Sequence, residues 1–250
     1  MRAPAGASVH AGALILVNAR HAYRGSEEAE ALRPLPSSVG QVLLHACAAE
    51  ALDRLMGSLR GWEQITAVSG WRSAQEQQEI YTHSLHTRGR AFTEQFVALP
   101  GCSEHQTGLA VDLALKKDPI DFICPDFPYT GICQTFRQRV AAYGFIQRYP
   151  SGKEHVTGIA HEPWHFRYVG TPHAEIMVQN GLVLEEYIAF LRRFPYGRDR
   201  YLYRSGDKWA AVSFLRAEEG ASLPAGAYSC AVSGNNIDGY IMTEWRGSHG

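Results

Sequence analysis

The chain has 250 residues, 45% hydrophobic and 20% charged, which supplies a sizeable core and excludes a disordered protein. Twenty-four Lys and Arg stand against 25 Asp and Glu, a formal charge of -1, so there is no basic excess to grip nucleic-acid phosphates. No apolar run approaches the roughly 20 residues that cross a bilayer, and the nearest candidate, Ala13-Leu14-Ile15-Leu16-Val17, is also too short for a secretory signal. A cytoplasmic protein is expected.

Pro34, Pro36, Ser37 and Ser38 set an N-terminal arm apart from the first predicted helix, where Leu44, Cys47, Ala48, Ala51, Leu52, Leu55 and Met56 recur at helical spacing. Ser38 and Gln41 have the spacing of a capping box for it. Ile65–Val68 reads as a strand closed by Ser69-Gly70. A second helix opens at Ser73, with Glu76 three residues on as in a capping box, and runs towards Gly89. Gly108–Leu115 is apolar but for one acid, the pattern of a buried strand. A third helix spans Ile132–Tyr143 and stops at Gly144, a residue suited to a left-handed cap. Phe145–Tyr149 and His165–Val169 alternate as strands do, and two short helices follow, ended by Gly181 and Pro195. In the last fifty residues, Tyr201–Arg204, Ser205-Gly206-Asp207 and Lys208–Leu215 form a predicted hairpin, and Ser233–Gly239 is a second turn. Helices and strands mix without a βαβ rhythm, so the fold class is α+β: a mostly antiparallel central sheet with flanking helices. The expected division is a main domain over 1–200 and a small β-rich extension over 201–250.

Cys47, Cys102, Cys124, Cys133 and Cys230 show no CxxC or other zinc-cluster spacing. Cys47 falls on an apolar helical face, where cysteine acts as a small core residue. Cys124 and Cys133 are able to pair, yet a cytosolic chain keeps its thiols reduced. None is assigned a catalytic role.

Dense polar chemistry in apolar surroundings marks three stretches: Gly70-Trp71-Arg72-Ser73, Ser103–Asp112 (SEHQTGLAVD) and His161–His165 (HEPWH). An aspartate between Val111 and Leu113 is costly to bury unless paired, hydrogen-bonded or metal-bound. Gly108 lets the chain turn, so that His105 and Asp112 can reach one point. A histidine from HEPWH then completes three ligands and leaves a fourth tetrahedral position open, the pattern of a catalytic zinc site. HEPWH also matches the helical HExxH motif. That reading is rejected, because Pro163 opposes a helix and Phe166–Val169 continues as strand. In an extended segment, Glu162 and His165 serve one site only if the backbone deviates near Pro163. Taken singly, each residue also has an ordinary reading. Arg72 suits a surface stack on Trp71, Asp112 an acid satisfied by backbone donors, and Trp164 a core position. His155, His161 and His173 read as structural or solvent-facing.

SEHQTGLAVD followed by EPWHFRYVG resembles the zinc D,D-peptidases of the VanY/VanXY group, relatives of the VanX dipeptidases within a fold shared with Hedgehog signalling domains. GWRSAQEQQ, YGFIQRYPSGKEHVTGIAHEPWHFRYVG and GLVLEEYIAF extend the likeness over roughly Ala13–Phe194, and AVSGNNIDGYIMT resembles the tail of VanXY-type proteins. The resemblance implies a zinc ion on His105, Asp112 and His165, with Glu162 as general base and Arg72 as the cation at the substrate carbonyl. Ser103, Gln77 and Ser69 take substrate-contacting positions. It implies hydrolysis of D-Ala-D-Ala termini of peptidoglycan precursors in vancomycin resistance. The expected partners are these small peptides, with no nucleic acid and with a homodimer left open. Thr82–Pro100 is expected to be a mobile, substrate-selecting loop. Two other readings stay open: a zinc-holding module that does not cleave, and a peptidoglycan endopeptidase. In the dedicated dipeptidases of the family the residue three before the arginine is an acid; here it is the neutral Ser69.

Overall fold

The computed structural model describes residues 8–25, 31–206, 208–217 and 229–247; Asp207, placed in a turn above, lies outside them. Packing divides the chain into two compact units, Val17–Val183 and a second made of the residues up to Leu16 together with those from Leu184 onward.

The first unit is built on a four-stranded antiparallel sheet. Its chain begins with a short ladder of β1 (Leu32–Pro34) and β2 (Leu43–His45), which leads into α1 (Ala46–Leu59). Ala48, Ala51, Leu52, Leu55 and Met56 form the buried face of α1, as their spacing predicts. Its start differs from expectation. Ser38 makes no cap, because Val39 N–H donates to Ala67 O and Ala67 N–H to Ser37 O, which spends this segment on strand pairing. The helix begins instead after His45 with no side-chain cap.

β3 (Ile65–Ser69) follows, then α2 (Ala74–Thr87), whose Ser73/Glu76 capping box forms in full. α3 (Arg90–Phe96), β4 (Ala110–Leu115), α4 (Gly131–Arg139) and β5 (Phe145–Tyr149) come next, with a 3₁₀ turn over Val140–Tyr143 ending at Gly144. The unit closes with the single turn α5 (Glu154–Thr157), β6 (Glu162–Tyr168) and α6 (His173–Asn180). The sheet order is β3-β4-β6-β5. Leu52, Leu55, Val111, Leu113, Phe136, Phe145 and Phe166 belong to one core cluster that includes residues of α1, α4 and the sheet. His173 is buried, and burial lowers its pKa to about 3, in keeping with a structural residue.

The second unit holds α7 (Leu184–Leu191) and an antiparallel sheet, β7-β8-β10-β9, of β7 (Tyr201–Ser205), β8 (Lys208–Arg216), β9 (Ser229–Gly234) and β10 (Gly239–Gly247). The predicted hairpin is there as β7 and β8, and the predicted turn lies between the antiparallel strands β9 and β10. The boundary by packing is Val183/Leu184 rather than 200/201, and the reason is visible in the contacts. Phe190 and Phe194 pack edge-on against Tyr201, at 5.3 and 5.5 Å. The N-terminal residues join this unit because Gly234 N–H donates to Ala11 O and the Asn236 amide donates to Leu16 O.

Candidate active site

Three strands carry the site. Asp112, 6% exposed on β4, has His165 of β6 as its register partner on one side and Ser69 of β3 on the other. Directly opposed residues share a face of the sheet, so the three form one row. A bulge makes the row possible. Between the Ala67–Leu113 and Ser69–Asp112 pairs β3 advances two residues while β4 advances one.

His105 enters from a 3₁₀ turn, Glu104–Thr107, started by Ser103, whose hydroxyl accepts the His105 N–H at 3.4 Å. Gly108, at φ 67°, then reverses the chain into β4. His105 Nδ1 donates to Gly70 O at 2.7 Å, which leaves Nε2 facing Asp112 Oδ2 at 3.2 Å. Gly70 is needed there, since a Cβ would collide with the Leu43 carbonyl oxygen. On the other side, His165 Nδ1 lies 2.9 Å from Asp112 Oδ1, and the two imidazoles meet edge-on at 5.0 Å. One donor atom from each of His105, Asp112 and His165 falls within 4.8 Å of the others. These three residues can hold one divalent cation, and two imidazoles with one carboxylate is a donor set that suits zinc.

The charges agree. Burial, aided by Arg72, lowers His105 to about 4 and keeps it neutral. Burial opposes the Asp112 charge, but His105 and His165 hold its carboxyl well below the usual range. Burial likewise opposes a charge on His165, yet its hydrogen bond to Asp112 and the nearby Glu104 carboxylate raise it to about 9. Positive charge is therefore favoured at this point, and a cation on the three donors supplies it in place of a proton.

Glu162 begins β6, 5% exposed, with its carboxylate 3.6 Å from His165 Nδ1. On a regular strand residues three apart face opposite sides. Between the Gln147–Phe166 and Tyr149–Glu162 pairs, however, β5 advances two residues and β6 four. The irregularity expected at Pro163 is present and turns Glu162 to the ligand side. Arg137 of α4 pins it, donating to Pro163 O at 2.8 Å while its guanidinium stacks 3.9 Å above the Tyr129 ring. Nothing in the sequence distinguished Arg137 from other polar residues of its helix. Burial raises Glu162 to about 8, with the neighbouring charges of Asp112 and Glu104 in the same direction. His161 instead meets the Tyr129 hydroxyl through Nε2 at 2.7 Å and lies outside the ligand group, as a strand rather than a helical zinc motif requires.

Arg72 reaches Asp112 Oδ2 at 3.7 Å and donates from NH1 to Gln77 Oε1 at 3.0 Å. Its Nε is buried without a hydrogen-bond partner among the described residues. Gln77 is 1% exposed and uses its other end on Ala98 O, so its amide supports Arg72. All eight predicted site residues line one cavity of about 670 Å³.

The expected loop over Thr82–Pro100 is mostly helix instead. The end of α2 and all of α3 lie in it, tied by the buried Ser84–Thr93 hydroxyl pair at 2.8 Å, with Phe92 and Phe96 in ring contact along α3. It nevertheless lines the cavity through His83, Thr87, Phe96 and Val97. Asp121, Phe122 and Ile123 also line it.

Comparison with known proteins agrees with this geometry. The family described as VanY: D-alanyl-D-alanine carboxypeptidase matches residues 41–171. The bifunctional D-Ala-D-Ala dipeptidase and D-Ala-D-Ala carboxypeptidase VanXYC of Enterococcus gallinarum is 43% identical over 179 residues, 71% of this chain and 94% of that protein. The crystal structure of the vancomycin-resistance D,D-dipeptidase VanXYg with a D-Ala-D-Ala phosphinate analogue superposes with a TM-score of 0.88 at 42% identity, over 95% of each chain. A VanY D,D-pentapeptidase from a VanB-type resistance cassette, in complex with Zn(II), gives a TM-score of 0.57 at 30% identity over 70% of this chain and 98% of that one. The matched segment contains all eight predicted site residues, and with a relative so similar along nearly its whole length the chain belongs to the VanY D-alanyl-D-alanine carboxypeptidase family.

Proposed function

We propose that this protein is a zinc-dependent D,D-peptidase of the cytoplasm that removes D-alanine from D-Ala-D-Ala termini of peptidoglycan precursors, in the setting of vancomycin resistance. The observation that carries the reading is the convergence of His105, Asp112 and His165 with Glu162 and Arg72 in one cavity. The relatives named above act on the same terminus. Five free thiols suit a reducing compartment, and no helix among the described residues is long and apolar enough to cross a membrane.

His105 and Asp112 with His165 would hold the zinc, which when bound supplies a Lewis acid for the scissile carbonyl and makes water more acidic. Glu162 takes the proton of the attacking water and returns it to the departing amine. A dication beside it favours the carboxylate form against the upward push of burial. Arg72, braced by Gln77, donates to the carbonyl oxygen as charge develops there. Arg72→Lys lowers kcat by about 10²–10³-fold with a smaller change in KM, because the ammonium lacks the planar fork that Gln77 orients. Steady-state kinetics on a D-Ala-D-Ala substrate measure this. Wild-type kcat in Arg72→Lys removes Arg72 from the mechanism.

Ser69 bears on which substrate is preferred. A free dipeptide presents an ammonium where a longer precursor presents an uncharged amide, and an ammonium held without an opposite charge binds poorly. Ser69 is neutral. Of Asp118, Asp121 and Asp126, Asp121 alone lines the cavity, and it is already engaged by Arg88 at 3.1 Å and by the Ile123 and Cys124 N–H groups. Carboxypeptidase action on the pentapeptide precursor is therefore at least comparable to dipeptidase action, and Ser69→Asp shifts the ratio of kcat/KM values towards the dipeptide. A strong wild-type preference for the dipeptide that Ser69→Asp leaves unchanged would place the ammonium elsewhere.

A further inference from the structure

Behind the three donors a buried carboxylate is aimed at the site. Glu104 opens the 3₁₀ turn that carries His105, and its side chain is fully buried. Its Oε1 accepts from Arg148 Nε of β5 and from Arg167 NH1 of β6, each at 2.8 Å, and both arginine side chains are fully buried too. Two guanidinium groups thus keep Glu104 ionised, and an ionised carboxylate only accepts. The second oxygen, Oε2, faces His165 Nε2 at 3.5 Å. Neither atom has a hydrogen-bond partner among the described residues, and a few tenths of an ångström separate them from a normal bond.

A neutral imidazole carries its proton on one nitrogen and a lone pair on the other. We infer that Glu104 is a positioning residue for the metal centre: Oε2 holds the His165 proton on Nε2, so that Nδ1 presents its lone pair on the side of Asp112 and His105. The inference rests on the reading of these residues as zinc ligands. His105 has the same support in another form, its Nδ1–H being held by Gly70 O. One ligand histidine is therefore oriented by a backbone carbonyl and the other by a carboxylate, the kind of support that sets ring orientation and metal affinity in histidine sites. Arg148 and Arg167 act through Glu104.

Glu104→Gln tests this. The amide still offers an oxygen to an arginine but turns an NH₂ group towards His165, which favours the tautomer with hydrogen on Nδ1. Zinc affinity, measured by competition with a chromogenic chelator, falls about 10–100-fold while the far-UV circular dichroism is retained. Folded Glu104→Gln with wild-type affinity overturns the role. Because the variant removes a carboxylate charge next to two buried arginines, a second measurement uses the wild type alone. Long-range ¹H–¹⁵N spectra of the zinc-loaded, histidine-labelled protein show His165 metallated through Nδ1 with a slowly exchanging proton on Nε2, and His105 in the opposite arrangement. Zinc on His165 Nε2 overturns the inference whatever the variant does. A wild type that binds no zinc would overturn the metal centre as well, whereas normal wild-type binding with an unaffected Glu104→Gln overturns the Glu104 role alone.

Discussion

Glu162→Gln keeps zinc and loses about 10²–10⁴-fold of kcat, with little change in KM. The amide is close to the carboxylate in size, so the packing around the Pro163 irregularity and the Arg137 bond to the Pro163 carbonyl stay in place. What disappears is the proton acceptor. Glu162 is 5% exposed and stands against His165 on the ligand side, so a solvent base has little access to replace it. A loss confined to kcat separates proton transfer from substrate binding. Metal content and kcat, measured on the same preparation, decide the matter. Normal turnover by Glu162→Gln would falsify the assignment of the base. It would also return the site to a zinc-holding module or to a different base.

Stripping the metal with a chelator abolishes turnover, and zinc restores it. The physical reason lies in the donors as much as in the chemistry. Asp112 and Glu162 are two buried acids beside the His105–His165 pair, and a bound dication neutralises them together. An ion that binds the folded state alone stabilises it by mass action, about 4 kcal/mol at a thousand-fold excess over Kd. Zinc therefore raises the melting temperature of the wild-type apoprotein. It leaves that of Asp112→Ala unmoved, since the central donor of the row is gone. Full activity in a preparation shown to be metal-free, or an equal thermal response in Asp112→Ala, excludes this centre.

The proposed zinc ligands and base were readable in the sequence because each is an anomaly: Asp112 inside GLAVDLAL, His105 before a glycine turn, and Glu162 and His165 around a strand proline. Periodicity was similarly sufficient for α1, whose hydrophobic spacing reflects one buried face, while β4 and β5 are strands buried on both faces. Local capping was less dependable. Ser73 and Glu76 close their box because α2 starts free of competing pairing, whereas the Ser38 segment has a β3 partner and takes it. Thr82–Pro100 looked like a loop from its Gly, Thr and Arg content, but the buried Ser84–Thr93 bond joins its two helices and the Phe92–Phe96 contact supports the second. The N-terminal residues carry no signal for their Asn236 and Gly234 partners, more than 200 positions away.

What the sequence determined by itself is most of the elements and the residues of the proposed site. Both follow from local facts, namely which faces are apolar and where a charge stands among apolar neighbours. Tertiary structure alone decided the geometry. The Val68 bulge aligns Ser69 with Asp112, and the Pro163 irregularity brings Glu162 to the side of His165. Glu104 stood in plain sight beside His105, yet its place is set by Arg148 and Arg167, 44 and 63 residues further on. Strand register and the pairing of buried charges are relations between distant segments, and neither leaves a periodic trace in the chain that carries it.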